Sequence, residues 1–466
     1  MLLKLIQGAT FSFIIALINL ILLARLLPVD VVSTIKNVQL YSGIFSVLGT
    51  LQLHSGLIKF NSKLSDDEKN TSFSLFFISI TMSSLVSSLV VFNLTELNDV
   101  SLIGVFLYTL ANSLVVSSPS ICAINHKGKE YIKFICVFMG INTACLLVSF
   151  IMSFGSDTYI VLLGIGSILS VMLSFWARLI VNNLKNIFFL ISRAHRINND
   201  LFRYSWKLSM SIFVESIYQK VDKIYATLFL TTSAFGRYSV VCFENPLIGI
   251  ILSSIGVSVV SDGQQRYCLN KTSFYNEIWG DKIKLSILVI IPMSLFLMTY
   301  SKEIVNLLFG DRYSDYSVVF MIYSFVGIIR YSPLQVILRL EERSDLIFKS
   351  SVLALLSVSV CALLFYFLSV DNPILIALIY LFGWFVFNLR NLVYIKSISD
   401  IKISELLLPK FMFKVLIQST FMIIILECFN NYTNIHFVYS IIIYGLMYIT
   451  TLVLLYKKAL ASVLRT

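Results

Sequence analysis

SMSIFVESIYQKVDKIYATLFL, residues 209 to 230, decides how the chain is read. Taken as a membrane helix from Lys207 to Leu230, it has its midpoint near Tyr218. Glu215, Lys220, Asp222 and Lys223 then lie within about one and a half turns of the bilayer centre. Each such charge costs roughly 3 kcal/mol on the insertion scale if it meets lipid, so this helix must face a protein interior or a hydrated cavity. Steps of four, four and three residues join Ser211, Glu215, Gln219 and Asp222 into one polar stripe, and Lys223 lies a step of four beyond Gln219.

Around this stretch the chain is apolar. Of 466 residues, 58% are hydrophobic and 13% charged, and the apolar residues run in blocks of about 20 rather than in the one-face patterns of soluble helices. The expectation is an all-α polytopic membrane protein with about fourteen helices. They fall near 5–27, 35–58, 71–92, 100–124, 132–153, 158–181, 207–230, 238–260, 284–300, 317–340, 350–369, 373–395, 411–429 and 435–456. The second, with YSGIFSVLGTLQLHSG, needs shelter from lipid because it is rich in Gly, Ser, Gln and His. The first run ends in ARLLP without a small-residue cleavage pattern and reads as a retained helix. No segment between the runs is long enough to bury a core of its own.

The formal charge of +11 suggests nucleic acid until the bases are placed. With the N-terminus inside, about 28 of the 36 Lys and Arg fall in cytoplasmic segments and about 5 outside. Lys220, Lys223 and Arg330 are left within the membrane. The asymmetry puts both termini in the cytoplasm and explains the basic pI without nucleic acid. The seven cysteines, at 122, 136, 145, 242, 268, 361 and 428, form no CxxC and suggest neither disulfides nor zinc. No GxxxxGKS, HExxH or GxSxG occurs, so neither a catalytic site nor a cofactor is expected. The basic stretch after the sixth helix divides the chain into an N-lobe (1–181), a cytoplasmic linker (182–206), a C-lobe (207–396) and a C-terminal helix pair (397–466).

Four motifs carry a resemblance: ARLLPVD (24–30), VDKIYA (221–226), FGRYS (235–239) and KEIVNLLFGDRY (302–313). Together they resemble the polysaccharide transporter family, the O-antigen and repeat-unit flippases of the multidrug/oligosaccharidyl-lipid/polysaccharide (MOP) exporter superfamily. One departure is Val32, where the family often has a glycine opening helix 2. The resemblance implies two six-helix lobes around a central cavity, MATE-like, working by alternating access in the bacterial inner membrane. The substrate it implies is an undecaprenyl-pyrophosphate-linked oligosaccharide. Membrane lipids, a polymerase and a chain-length regulator of the same pathway are the implied partners. A lipid II flippase and a drug/cation antiporter share this architecture, and a helix count of fourteen suits the former. From another class, a membrane polymerase or ligase would need a larger outer loop than Ser301 to Tyr316.

The residues supply physics for such a job. An anionic headgroup crossing hydrocarbon needs cations in a hydrated cavity, and Lys220, Lys223 and Arg330 are the expected substrate contacts. Glu215, Asp222 and Glu244 are the expected ion-coupling carboxylates. The competing reading pairs these three acids with the three bases as buried salt bridges. Arg330 has no acid on its own helix, so its partner is a carboxylate elsewhere, such as Glu215, or the substrate phosphate, toward which the sequence reading leans. His54 reads as hydrogen-bonded rather than as a proton relay, and Arg25 as an interfacial anchor.

The topology is directly testable. In a cysteine-free background, single cysteines at Ser156, Ser233 and Asn372 are expected to react with an impermeant maleimide from outside, and those at Ser65 and Ser344 only after permeabilisation. The reverse pattern overturns the orientation.

Overall fold

The structure is a computed structural model. It describes residues 2–60, 64–94, 98–124, 128–180, 199–269, 271, 274–341, 343–399, 401–433 and 437–456. His126, His195, His436 and the expected linker up to residue 198 lie outside these. The described residues are predominantly helical and hold no strand. Among them, 8 helices are long and apolar enough to cross a membrane, and shorter apolar helices accompany them. The chain forms two compact units, Met1–Val240 and Val241–Thr466.

The first unit contains α1 (Leu2–Leu26), α2 (Val29–Gly49), α3 (Leu53–Phe60), α4 (Asp66–Leu94), α5 (Asp99–Ile124), α6 (Gly128–Ile151), α7 (Ser156–Met172), α8 (Asn199–Tyr218), α9 (Val221–Phe229) and α10 (Thr232–Val241). Small and hydroxylic residues let its helices approach closely. A Cβ on Gly164 of α7 would sit 2.4 Å from the Gly104 carbonyl oxygen of α5, so only glycine fits there. Thr109 of α5 donates to Ser42 of α2 at 2.8 Å, and Asn112 to Ser46 at 3.2 Å. These serines are buried, and paired hydroxyls bind helices where no water competes.

Several helices expected to be continuous are interrupted. The second splits into α2 and α3 around Leu51 and Gln52, both in the left-handed region (φ 44 and 50), a strained conformation for residues with a side chain. The sixth bends at Leu173–Ser174 before a helical stretch over residues 175–180. The seventh breaks at Gln219–Lys220, where the Lys220 amide turns back to the Ile217 carbonyl at 2.8 Å. Proline explains two further breaks. Pro246 opens the helix after the 242–245 gap, and Pro333 interrupts the tenth, because proline lacks the amide hydrogen and disfavours helix in the residue before it.

The second unit contains α11 (Pro246–Leu269), α12 (Gly280–Thr299), α13 (Ser301–Phe309), α14 (Ser317–Arg330), α15 (Gln335–Leu340), α16 (Ser344–Phe367), α17 (Pro373–Ile398), α18 (Ile403–Leu407), α19 (Pro409–Thr433) and α20 (Phe437–Leu455). Gly310, at φ 93, ends α13 and accounts for the glycine of KEIVNLLFGDRY. Within its apolar window α12 is 50% buried and α20 only 11%. Phe367 at 77% exposure and Leu454 at 74% stand where only lipid can cover them. Pro292 inside α12 removes the hydrogen bond that the Leu288 carbonyl would accept. Tyr448 of α20 donates its hydroxyl to that carbonyl, and Tyr444 donates to the Pro292 carbonyl at 3.1 Å. The C-terminal pair is therefore bonded to the core of its unit.

Tyr448→Phe is expected to strand the Leu288 carbonyl and cost about 1–3 kcal/mol, read as a lower midpoint of thermal unfolding in detergent. Tyr439→Phe, on the exposed face of the same helix, should leave the midpoint unchanged.

Candidate functional site

The family-like motifs of the first unit meet at one corner. Gly236 of FGRYS lies against Val29 of ARLLPVD, where a Cβ would come within 2.6 Å of the Val29 carbonyl oxygen. Tyr238 of FGRYS donates its hydroxyl to Asp222 of VDKIYA at 2.7 Å. Asp222 is fully buried, so a hydrogen bond to its carboxylate is needed to hold it there. Beside this corner the α8–α9 break places Lys220 just before α9, with its side chain toward α2.

Lys220 finds room because residue 43 is glycine. A Cβ there would lie 3.1 Å from the Lys220 ammonium nitrogen. Lys36 stands about two turns earlier on α2, with its ammonium 3.2 Å from the Gln39 amide oxygen. Lys223, one turn into α9, is close enough for its charge to act on both Lys36 and Lys220. Among the described residues neither Lys36 nor Lys220 has a carboxylate in ion-pair contact. Three ammonium groups so gathered repel one another strongly in a poorly solvated setting.

Lys36 is not singled out by the sequence, which places it at the outer edge of a second helix expected over 35–58. The helix starts at Val29, following Pro28 and with Asp30 in its first turn. Proline and then an acid is a helix-start signature, and it was legible. The stripe Ser211, Glu215, Gln219, Asp222 does not continue as one helical face. Gln219 donates to Glu215 at 3.1 Å, and the break then sends Asp222 to Tyr238.

In the second unit Arg330 is the last residue of α14, where the negative end of the helix dipole favours a cation. Its Nη1 lies 2.6 Å from Glu244 Oε2, and its guanidinium carbon is 3.5 Å from the centre of the Trp384 ring of α17. Glu244 belongs to the 242–245 gap before α11, so the ion pair joins two helix breaks. The carboxylate partner that the sequence left open is thus Glu244 in this structure, rather than Glu215. The side chains retain 18% and 39% exposure, so the pair is part-buried. The broken ends are also cared for: Ser286 donates to the Tyr331 carbonyl at 2.5 Å, and Tyr331 donates to the Leu407 carbonyl at 2.8 Å.

His54 is buried beside the α2–α3 break, and its Nδ1 has no hydrogen-bond partner among the described residues, so the expected satisfied histidine is not what is found at that atom. No group of three or more His, Cys, Asp or Glu among the described residues could hold a metal ion.

With its interrupted, charge-bearing helices, the all-helical two-unit chain has a fold shared with solved membrane transporters. The lipid II flippase MurJ in an inward closed conformation is similar over 97% of this chain and 98% of its own, with a TM-score of 0.69 at 16% identity. A multidrug resistance MATE family transporter of the MOP superfamily, inward-facing, is similar over 83% and 94% (TM-score 0.55, 9% identity). The eukaryotic MATE transporter AtDTX14 is similar over 89% and 96% (TM-score 0.52, 11% identity). At these identities the likeness is one of fold. Among curated proteins no sequence matches significantly. The family model of the polysaccharide biosynthesis proteins matches residues 22–318, and the chain belongs to that family.

Arg330→Ala is expected to strand Glu244 and cost about 1–3 kcal/mol, less than for a fully buried pair because both groups are partly solvated. Thermal unfolding should show the loss, and Arg330→Ala/Glu244→Ala should recover part of it. Strict additivity of the two substitutions would mean that the pair carries no coupling.

Proposed function

We propose that this protein is a flippase that moves an undecaprenyl-pyrophosphate-linked oligosaccharide across the bacterial inner membrane for surface polysaccharide assembly, O-antigen included. It works by alternating access of two lobes divided near residues 182–206, with both termini cytoplasmic. The observation that carries the reading is the Lys36, Lys220 and Lys223 cluster, in which two ammonium groups have no carboxylate in contact among the described residues. Removing a diphosphate from water requires replacing its hydration with fixed cations, and a diphosphate relieves the repulsion among them. Family membership supports the polysaccharide pathway.

Arg330 is a further phosphate contact in this reading, gated by Glu244. Protonating Glu244 would free the guanidinium for the substrate, which makes Glu244 the most direct of the three coupling carboxylates. Glu215 and Asp222, bonded to Gln219 and Tyr238, would act by exchanging those bonds. The chain carries out transport and no bond chemistry. A polymerase and a chain-length regulator would act on the delivered unit.

A second reading has one specific support, the similarity to the lipid II flippase over nearly the whole of both chains. Both substrates are polyprenyl diphosphates, so the lysine cluster serves either. Flipping in proteoliposomes of a fluorescent lipid-linked oligosaccharide, with lipid II as competitor, separates the two.

In the same assay Lys36→Gln and Lys220→Gln are expected to lower transport at least about tenfold, one lost charge-assisted phosphate contact being worth ~1.5–3 kcal/mol. Gly43→Leu, which fills the space at the Lys220 ammonium, should do likewise, and all three proteins should accumulate normally. Undiminished transport by Lys220→Gln overturns the assignment. Indifference of the wild-type protein to both proton and sodium gradients would remove the coupling role of the carboxylates.

A further inference from the structure

A cavity of about 900 Å³ opens in the first unit, well away in sequence from the lysine cluster, between the C-terminal end of α5, the first turns of α6 and the bend after α7. Its size falls within the ~300–1,000 Å³ of ligand sites. The bend makes it. Helix α7 stops at Met172, and Ser174 accepts the Trp176 amide at 3.1 Å to restart the helix in a new direction. The buried Trp176 indole donates to Ser118 of α5 at 2.9 Å, pinning the restarted segment. Phe175 stacks on Trp176 with centroids 5.2 Å apart and meets Phe134 of α6 edge-on at 6.0 Å.

The lining is two-sided. Ile121, Phe134, Val137 and Phe175 make apolar walls, and Lys133, Arg178 and Glu130 stand among them. Met172 and Leu173, at the same bend, are 60% and 66% exposed, so the cavity borders surface that only hydrocarbon suits. Lys129, exposed in the first turn of α6, adds a further base near this end of the groove. Glu130 is the one acid in the lining among the described residues. It lies 3.7 Å from Lys133, with side-chain exposures of 43% and 73%, a loose solvated contact worth little and readily exchanged.

We propose that this groove holds one anionic phospholipid, with its phosphate between Lys133 and Arg178 and an acyl chain along Phe134, Val137 and Phe175. Charge fixes the class of occupant, since Lys133 and Arg178 against Glu130 in the lining favour an anion, and the N-terminal end of α6 adds its dipole. The apolar walls fix the source, because a free phosphate would leave them wet. Basic pockets between membrane helices on the cytoplasmic side are a recurrent way of binding such headgroups. The site lies on the face that the charge count assigns to the cytoplasm, though binding in a bilayer disc, where both faces see lipid, does not depend on that sidedness or on the transport substrate. A lipid so placed braces the 173–180 bend against α5 and α6.

The test uses the full chain in discs of phosphatidylethanolamine with and without phosphatidylglycerol, and counts lipid retained on release by native mass spectrometry. Each of Lys133→Gln and Arg178→Gln is expected to lower phosphatidylglycerol retention about fivefold, leaving phosphatidylethanolamine unchanged. Lys349→Gln/Lys402→Gln, which removes exposed bases of the second unit, should change neither. Cys136 lines the groove and gives an independent readout that keeps both bases. In a protein retaining only this cysteine, phosphatidylglycerol should slow its reaction with a maleimide, and dissolved glycerol phosphate should not. Equal phosphatidylglycerol retention by the Lys133→Gln/Arg178→Gln protein, maleimide reaction indifferent to phosphatidylglycerol, or protection by glycerol phosphate alone would each overturn the proposal.

Discussion

In hydrocarbon a backbone amide or carbonyl has no water to bond to, so any departure from a continuous helix must be repaired by protein. The rest of this structure depends on how that is done. Pro292 leaves the Leu288 carbonyl without its helical partner, and the Tyr448 hydroxyl supplies one from α20. The break after Arg330 leaves the Tyr331 carbonyl, which Ser286 of α12 takes up. These few hydroxyl groups fix which helices lie side by side, whereas most serine and threonine hydroxyls bond back to a carbonyl three or four residues earlier on their own helix.

The same breaks hold the charges. Lys220, Glu244 and Arg330 all stand at interruptions, where the chain turns and polar groups already gather. A continuous helix would present such residues along a face shared with apolar neighbours. A broken one aims them and leaves terminal dipoles beside them. Arg330 shows this most clearly, ending α14 with its guanidinium between the Glu244 carboxylate and the Trp384 ring. Cation–π contact and ion pair together hold a group that lipid would not tolerate.

The two units treat their cations differently. Arg330 is matched by a carboxylate, whereas Lys36 and Lys220 have none in contact among the described residues. Asp222, the acid nearest in sequence, is turned to Tyr238 instead. That bond also ties VDKIYA to FGRYS, and the packing of Gly236 on Val29 ties FGRYS to ARLLPVD. Three separate motifs are therefore one contact set, which explains why their residues are so particular without assigning each a role in transport.

The sequence by itself determined the all-helical membrane fold, because apolar runs of bilayer length are a one-dimensional property and leave no other structure free of unsatisfied backbone groups. It singled out Lys220, Lys223 and Arg330 because charge at membrane depth is conspicuous in any linear reading, whereas the interruptions at Pro246 and Pro333 fall inside stretches read as continuous helices, although proline acts locally and its signal was there to be read. Tertiary structure decided the partners. That Gly43 makes room for Lys220, that Lys36 and Lys220 both come within reach of Lys223, that Arg330 meets Glu244 rather than Glu215, and that the α8–α9 break falls at Lys220 depend on contacts between residues up to about 180 positions apart, which a linear reading does not rank. Pairing energy is fixed by distance in space, and a sequence orders residues only along the chain.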